Sequence, residues 1–239
     1  MKHTKHYILS ATILPMSLIG SAHAAVIAST DFDLRTVSTN TASNLNWVLN
    51  GIDDPGSMSA NLNGGGAQNL FDGAGTDSKT IFAPARNYGN NGGSWITTVD
   101  IVVSAGNNVT ISDVTFDYWA ISGSGNQNVT READFKVTLF NPSATAVGGV
   151  FSINDVSNGA TPGIGTLVTA TFTPVALTAP GTYTLEIESG ELGGDDETGN
   201  HSGIDNLSIN GTVTPIPEPS SFALLGLGAL AALGRRCRR

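Results

Sequence analysis

Apolar and polar residues alternate along much of the chain between residues 25 and 213, in short runs separated by Gly, Asn, Asp and Pro. When the pattern repeats every two residues, one side chain points inward and the next points outward. This is the pattern of a β-strand with one buried face. The runs predict strands at Ala25–Thr30, Asn44–Leu49, Trp95–Val103, Val109–Ile121, Asp134–Phe140, Gly149–Ile153, Thr166–Thr173, Thr182–Glu188 and Gly203–Val213. No alternation of strands with helices occurs, which excludes a parallel α/β sheet.

Several runs carry a clear apolar face. Val114, Phe116, Tyr118 and Ala120 share one face of their run, and Tyr183, Leu185 and Ile187 share one face of another. One buried and one wet face per strand predicts an all-β, two-sheet β-sandwich over residues 25–213, resembling a jelly roll. The Gly-rich stretch 51–79 is predicted to be a long surface loop.

Charge is distributed unevenly. Nineteen acidic and five basic residues lie between Ala25 and Pro215, which gives this part of the chain a net charge of −14. Such a charge repels phosphate backbones, so nucleic-acid binding is not expected. The single cysteine, Cys237, lies in the C-terminal tail, and three of the four histidines precede Ala24. This inventory excludes a zinc site of clustered His and a Cys-His nucleophile.

The N-terminus has the features of a secretion signal. Lys2 and Lys5 precede an apolar stretch from Ile8 to Gly20, and the small residues Ala22 and Ala24 then flank His23. This order predicts a signal helix in residues 1–24, cleaved by signal peptidase after Ala24.

The C-terminus combines a proline-rich spacer, an apolar stretch and a basic end. Prolines at 215, 217 and 219 favour an extended spacer. Residues 220–234 then predict an uncharged helix of about 22 Å, shorter than the roughly 30 Å hydrocarbon core. The basic end consists of Arg235, Arg236, Arg238 and Arg239, which would keep the C-terminus cytoplasmic as a membrane stop.

Pro217, Glu218 and Pro219, followed by the apolar helix and the arginine cluster, resemble the PEP-CTERM sorting domain, a motif also catalogued at the C-terminus of ice-binding proteins. The resemblance covers residues 214–239. It implies export and processing near these three residues by an exosortase, a membrane transpeptidase-like enzyme. The three residues would then be a substrate signal with no catalytic role.

Three aspartates are candidate ligands of a structural calcium ion. Asp205 lies two residues before Leu207 and four before Ile209, so the alternation places it on the core face with them. A buried carboxylate needs a hydrogen-bond or metal partner for its charge. Several jelly-roll carbohydrate-binding families pair such an aspartate with acids of the first strand, here Asp31 and Asp33, around calcium. The alternative is that Asp205 caps a turn or bulge while Asp31 and Asp33 face water.

Sugar binding and sugar hydrolysis need different side chains. Trp119 is out of phase with Phe116 and Tyr118, so it is a candidate platform for stacking a sugar on the opposite face, against the alternative of a core or rim residue. Two facing carboxylates would be needed for glycoside hydrolysis. The candidate pairs are Glu132 with Asp134 and Glu186 with Glu188, and neither has the spacing found in sandwich glucanases.

Taken together, these features predict an exported component of the cell surface or extracellular matrix. Its sandwich is expected to associate with exopolysaccharide, as in a biofilm, and to lack catalytic activity. A purely structural adhesin and a glycoside-active enzyme are the alternatives. The tail would either anchor the protein transiently as a single-pass helix or lead to its release.

Overall fold

The structure is a computed structural model that describes residues 24–32, 36–38, 41–62, 94–103, 107–120, 132–157, 165–177, 181–190 and 202–216. The predicted signal peptide before Ala24, and the predicted helix at 220–234 with its arginines, lie outside these ranges. Within the described ranges no helix is long and apolar enough to cross a membrane.

The described residues form twelve strands and no helix. The strands are β1 (Ala24–Thr30), β2 (Thr36–Ser38), β3 (Thr41–Ser43), β4 (Val48–Leu49), β5 (Met58–Leu62), β6 (Trp95–Val102), β7 (Asn107–Ala120), β8 (Glu132–Phe140), β9 (Ala146–Ser157), β10 (Thr166–Leu177), β11 (Thr182–Gly190) and β12 (Ser202–Pro215). Eight of the nine predicted strands match these closely or overlap them over most of their length, and the all-β fold class is confirmed.

The strands form two antiparallel sheets. The five-stranded sheet has the order β10-β7-β12-β1-β4, and the seven-stranded sheet has the order β2-β3-β5-β6-β11-β8-β9. From β6 to β12 the chain passes repeatedly from one sheet to the other, and only β8 and β9 pair as consecutive neighbours in this part. The strand β12 lies between β7 and the first strand, β1, so the beginning and the end of the described chain pair side by side.

The two sheets pack on each other through their apolar faces. Phe116 and Tyr118 of β7 meet Phe135 of β8 with ring centroids 5.1 and 5.3 Å apart, in tilted and edge-on arrangements. These aromatic geometries add to the hydrophobic gain from removing large rings from water. Tyr183, Leu185 and Ile187 of β11 join the same core, as the alternation predicts.

The predicted strand Asn44–Leu49 is wrong for most of its length, because only Val48 and Leu49 are in a strand. Asn44 and Asn46 have positive φ values of 55° and 50°, which an extended strand does not accommodate. The prediction of a loop from 51 to 79 holds for residues 51–57 but misses β5, and residues 63–79 lie outside the described ranges. The short β2 and β3 were also not predicted.

Gly211 is required where β12 passes closest to β7. The pairing of the two strands shifts register between Asn210 and Gly211. A Cβ atom at this position would lie 1.8 Å from the carbonyl oxygen of Thr110, a backbone atom that cannot rotate away.

We expect Gly211→Ala to lower the free energy of unfolding by about 3 kcal/mol, because the added methyl forces β12 away from β7. Chemical denaturation of the mature protein measures this, with the exposed strand residue change Thr171→Ala as a control that should cost no more than about 0.5 kcal/mol. Equal stability of the two variants would show that the strands are not in this close contact.

Candidate functional site

The segment from Ser43 to Ser57 leads from β3 in the seven-stranded sheet through β4 in the five-stranded sheet and back to β5, and outside β4 its backbone is mostly irregular. Leu45 is buried, while Asn44 and Asn46 on either side of it are exposed. The left-handed conformation of both asparagines is one that Asn adopts more readily than most residues, because its short polar side chain forms local hydrogen bonds. The segment is therefore fixed by one apolar anchor and presents two amide side chains to solvent.

A buried threonine holds this segment in place. The Thr30 hydroxyl, at the end of β1, donates to the carbonyl oxygen of Leu45 and accepts a hydrogen bond of 3.2 Å from the Phe32 amide. Thr30 is 4% exposed, so neither backbone group has ready access to water there. Leaving a buried carbonyl without a hydrogen-bond donor destabilises the folded protein. The contact between Thr30 and Leu45 is therefore important for the position of Asn44 and Asn46.

Trp47 follows, half-buried and packed against the core. Its indole Nε1 donates to the carbonyl oxygen of Gly56 at 3.1 Å. Gly56 belongs to a tight turn at Asp54, Pro55 and Gly56, in which its own amide donates to Asp54 Oδ1 at 2.8 Å and its φ is 72°. Proline followed by a residue of positive φ is the sequence of a type II turn. The turn therefore fixes the edge of the tryptophan ring.

These elements enclose a cavity of about 410 Å³, here called the Trp47 pocket. Its lining combines the indole with short polar side chains, among them Ser43, Asn44, Asn46, Asp54 and Ser57. The volume lies within the range of small-molecule sites, which typically combine an apolar wall with a few fixed polar groups. Hydroxyl and amide groups can both donate to and accept from sugar hydroxyls, and a carboxylate accepts from them. An indole whose N–H is already bonded offers an apolar surface.

We expect Thr30→Val to loosen the Trp47 pocket. The substitution keeps the side-chain shape but removes the donor to Leu45, and it should lower the free energy of unfolding by about 1–3 kcal/mol. Hydrogen exchange should also accelerate in peptides covering residues 43–57. The control Thr171→Val changes an exposed threonine; if both variants behaved alike, the anchoring role would be refuted.

The predicted calcium ligands are placed differently from the expectation. Asp31 is exposed just after β1, Asp205 is 2% exposed on β12, and Asp33 lies outside the described ranges. No group of three His, Cys, Asp or Glu side chains suited to a metal ion occurs among the described residues. Because Asp33 is not among them, calcium binding by these three aspartates stays a prediction.

The expectation that Asp205 faces the core is wrong. β12 contains one extra residue between Asp205 and Ser208, opposite Asp117 and Thr115 of β7, and Asn206 at this bulge has a φ of 49°. The bulge resets the alternation, so that Ile204 faces the core while Asp205 lies opposite Asp117 on the other face. Asp205 Oδ1 accepts a hydrogen bond of 2.8 Å from the Asn206 amide, the bulge-capping role named as the alternative.

Trp119 does not offer an exposed stacking surface. It lies outside the core cluster, as its phase predicts, but it is only 1% exposed, which contradicts its assignment as a sugar platform. Its indole packs beside Gly165, where a Cβ atom would come within 2.6 Å of Nε1. A glycine directly before the neighbouring strand, β10, thus leaves room for the ring.

The candidate catalytic carboxylates lie on the other sheet, away from Trp119. Glu188 is 8% exposed and is held by Lys136 Nζ at 3.2 Å and by the Ser94 hydroxyl at 3.1 Å. Asp134 is 3% exposed and accepts a hydrogen bond of 2.9 Å from the Asp155 amide. Lys136 is the one Lys or Arg among the described residues, so it offsets the charge of Glu188 and leaves the other carboxylates of these strands without a lysine or arginine of their own in the described part of the chain.

Glu186, two residues before Glu188, has a raised pKa. Burial raises its pKa above the ordinary value of 4.5, Lys136 partly opposes the shift, and the charge of Glu188 adds to it. A raised pKa in the folded state means that folding favours the protonated form. Its stabilising contribution is present below the unfolded-state pKa and is lost as pH rises through the folded-state pKa.

We therefore expect Glu186→Gln to raise the melting temperature at pH 7 and to leave it almost unchanged near pH 4. Glu188→Gln is the informative comparison, because it removes the partner of Lys136 and Ser94 and should lower the melting temperature at pH 7. Thermal melts of both variants across pH 4–8 check this. A Glu186→Gln protein less stable than the wild type at pH 7 would be inconsistent with the raised pKa.

The residues that line the Trp47 pocket were not predicted as a site. The sequence analysis places Asn44, Asn46 and Trp47 only in the predicted strand Asn44–Leu49, and Asp54 only in the predicted loop 51–79. The available signals were the Asp-Pro-Gly turn and the Asn-Leu-Asn-Trp run, which combine turn formers with a large aromatic residue. Nothing in the spacing indicated that these two segments contact each other.

An all-β body that ends in a C-terminal sorting sequence defines an exported surface protein. Residues 215–239 match the family model described as the PEP-CTERM protein-sorting motif, so the chain carries this sorting motif at its C-terminal end. The motif indicates export, sorting to the cell surface and processing by an exosortase-type enzyme. It begins at Pro215, the last residue of β12, so the sorting sequence follows the sandwich without an intervening domain.

Several solved structures show a distant likeness to the chain. The enzymatically active domain of tailspike protein 4 from bacteriophage CBA120 aligns with 65% of this chain and 19% of its own, at 10% identity and a TM-score of 0.35. The insecticidal crystal protein Cry2Aa aligns with 59% of this chain and 20% of its own, at 15% identity and a TM-score of 0.28. An exo-β-1,3-galactanase from Phanerochaete chrysosporium aligns with 71% of this chain and 32% of its own, at 14% identity and a TM-score of 0.28. No curated protein sequence matches the chain.

Proposed function

We propose that the protein is a non-catalytic, glycan-binding component of the cell surface or extracellular matrix, which holds exopolysaccharide in the Trp47 pocket. The observation that carries this proposal is the pairing of a half-buried indole, fixed at its N–H by Gly56, with the polar side chains of Asn44, Asn46 and Asp54. The apolar face of a sugar ring can lie on the indole while its hydroxyls bond to the polar rim.

The distribution of carboxylates supports binding without hydrolysis. The Trp47 pocket contains one carboxylate among its described lining residues, Asp54, and its Oδ1 already accepts the Gly56 amide. A glycosidase of the usual type needs a second carboxyl across the cleft. The carboxylates of β8 and β11 lie on the other sheet, where Lys136 and Ser94 hold Glu188.

Surface sorting and glycan binding fit together in this proposal. The apolar stretch before the terminal arginines would hold the chain in the membrane with its C-terminus cytoplasmic until the sorting enzyme acts near Pro217, Glu218 and Pro219. The sandwich, which we take to be a jelly roll, would meanwhile stand outside the membrane. Retention in a biofilm matrix would then come from glycan bound by the sandwich.

We expect Trp47→Ala to weaken glycan binding by at least about tenfold, which corresponds to roughly 1.4 kcal/mol. The mature protein would first be applied to a glycan array, and the affinity for the strongest glycan would be measured by calorimetry. Val150→Ala is the control, because Val150 is an apolar side chain that is 51% exposed on β9, an edge strand of the seven-stranded sheet. A thermal melt of each variant verifies folding.

Each alternative class gives a different result in the same experiment. A structural adhesin would bind no glycan on the array, and a glycoside-active enzyme would release reducing sugars from the glycan that it binds. Binding that Trp47→Ala leaves unchanged would refute the Trp47 pocket as the site.

A further inference from the structure

A second cavity lies beside the Trp47 pocket on the outer face of the five-stranded sheet. It has a volume of about 170 Å³, and its lining includes Ser29, Asp31, Asn46, Asn206 and Ser208. Asn46 lines both cavities, so they are neighbours separated by one exposed amide side chain. The second cavity alone is smaller than an ordinary small-molecule site, which suggests that it serves as an extension of the first.

Val48, Ser29 and Ser208, which line the second cavity, belong to a row of short side chains that crosses the sheet. Val48 of β4 pairs with Ser29 of β1, and Ser29 pairs with Ser208 of β12. Ser208 pairs in turn with Thr115 of β7, and Thr115 with Thr169 of β10. Residues directly opposite each other in an antiparallel sheet share a face, so the four hydroxyl-bearing residues form one line. From Ser29 to Thr169 this hydroxyl row spans three strand spacings, about 14 Å.

The bulge at Asn206 is what gives the second cavity its polar wall. Its left-handed backbone keeps the Asn206 side chain on the outer face, where Nδ2 donates to Asp117 Oδ2 at 2.7 Å. Four residues further on, Asn210 Nδ2 donates to Asp113 Oδ1 at 2.7 Å. These pairs fix the amide groups beside the hydroxyl row, so that a ligand meets hydrogen-bonding groups that are already ordered.

The charge of this face limits the ligand. Asp113 and Asp117 lie on this face, and the one basic residue that the structure describes, Lys136, belongs to the other sheet. Carboxylates repel anionic ligands. A glycan carrying uronate or sulfate groups would therefore be disfavoured, whereas uncharged hydroxyl groups would meet suitable partners.

We propose that the Trp47 pocket, the second cavity and the hydroxyl row form one groove that binds an internal stretch of several units of an uncharged polysaccharide. This inference rests on the proposed function and adds the length and charge class of the ligand. The indole would stack one sugar unit, Asn46 would bridge to the next, and Ser29, Ser208 and Thr115 would bond to those that follow across the sheet.

The test uses the mature protein and an array of neutral, amino-sugar and uronate oligosaccharides of one to six units, with calorimetry on a dimer and a hexamer of the best neutral series. We expect the hexamer to bind at least tenfold more tightly than the dimer and uronate oligosaccharides to give no signal. Ser208→Tyr, which fills the second cavity, should reduce hexamer affinity to that of the dimer and leave the dimer unaffected. Thr171→Tyr, on the same face but off the row, should change neither.

The outcomes separate this inference from the proposed function. Absence of binding to every oligosaccharide, or binding insensitive to Trp47→Ala, would refute the proposed function. Binding that requires Trp47 but is equal for dimer and hexamer and unaffected by Ser208→Tyr would refute the groove alone. Preferential binding of uronate chains would refute the inference that the groove binds an uncharged polysaccharide.

Discussion

The architecture depends on the contact between the two sheets, where Phe135 packs against Phe116 and Tyr118. This contact removes large apolar surface from water, and it can form only if β7 and β8 both keep a strict two-residue period through their centres. The same period assigns every intervening polar side chain to an outer face. The Asp113, Thr115 and Asp117 series on β7 is therefore a direct consequence of burying Val114, Phe116 and Tyr118.

The proposed binding surface lies where that period is interrupted. Asn44 and Asn46 leave the extended conformation beside the buried Leu45, and Asn206 adds a residue to β12. Each interruption frees backbone and side-chain groups that a regular ladder would occupy, and each is stabilised locally, by the Thr30 hydroxyl in one case and by Asp205 and Asp117 in the other. A rigid sandwich carrying irregular, polar edges is the usual arrangement for recognition.

The sequence allowed the fold class and most strands to be predicted because alternation is a local property. The spacing of Tyr183, Leu185 and Ile187 within one strand is enough to predict that their side chains share the buried face. The bulge at Asn206 could not be predicted in this way, since one inserted residue reverses the face of Asp205 without changing the apolar pattern on either side. The burial of Trp119 against Gly165 and the meeting of Trp47 with Gly56 depend on segments that contact each other only in the folded chain. The sorting motif, in contrast, is an ordered linear signal and was identified from sequence alone.

The central claim is that glycan is held between the Asn44–Trp47 segment and the turn at Asp54–Gly56. Hydrogen exchange followed by mass spectrometry, on the mature protein with and without a saturating amount of the best-binding glycan from the array, tests it directly. The account predicts slower exchange in peptides covering residues 43–57 and 204–210, and no change in β8 and β11. Protection confined to β8 and β11, around Lys136 and Glu188, would place the ligand on the opposite sheet and contradict the account.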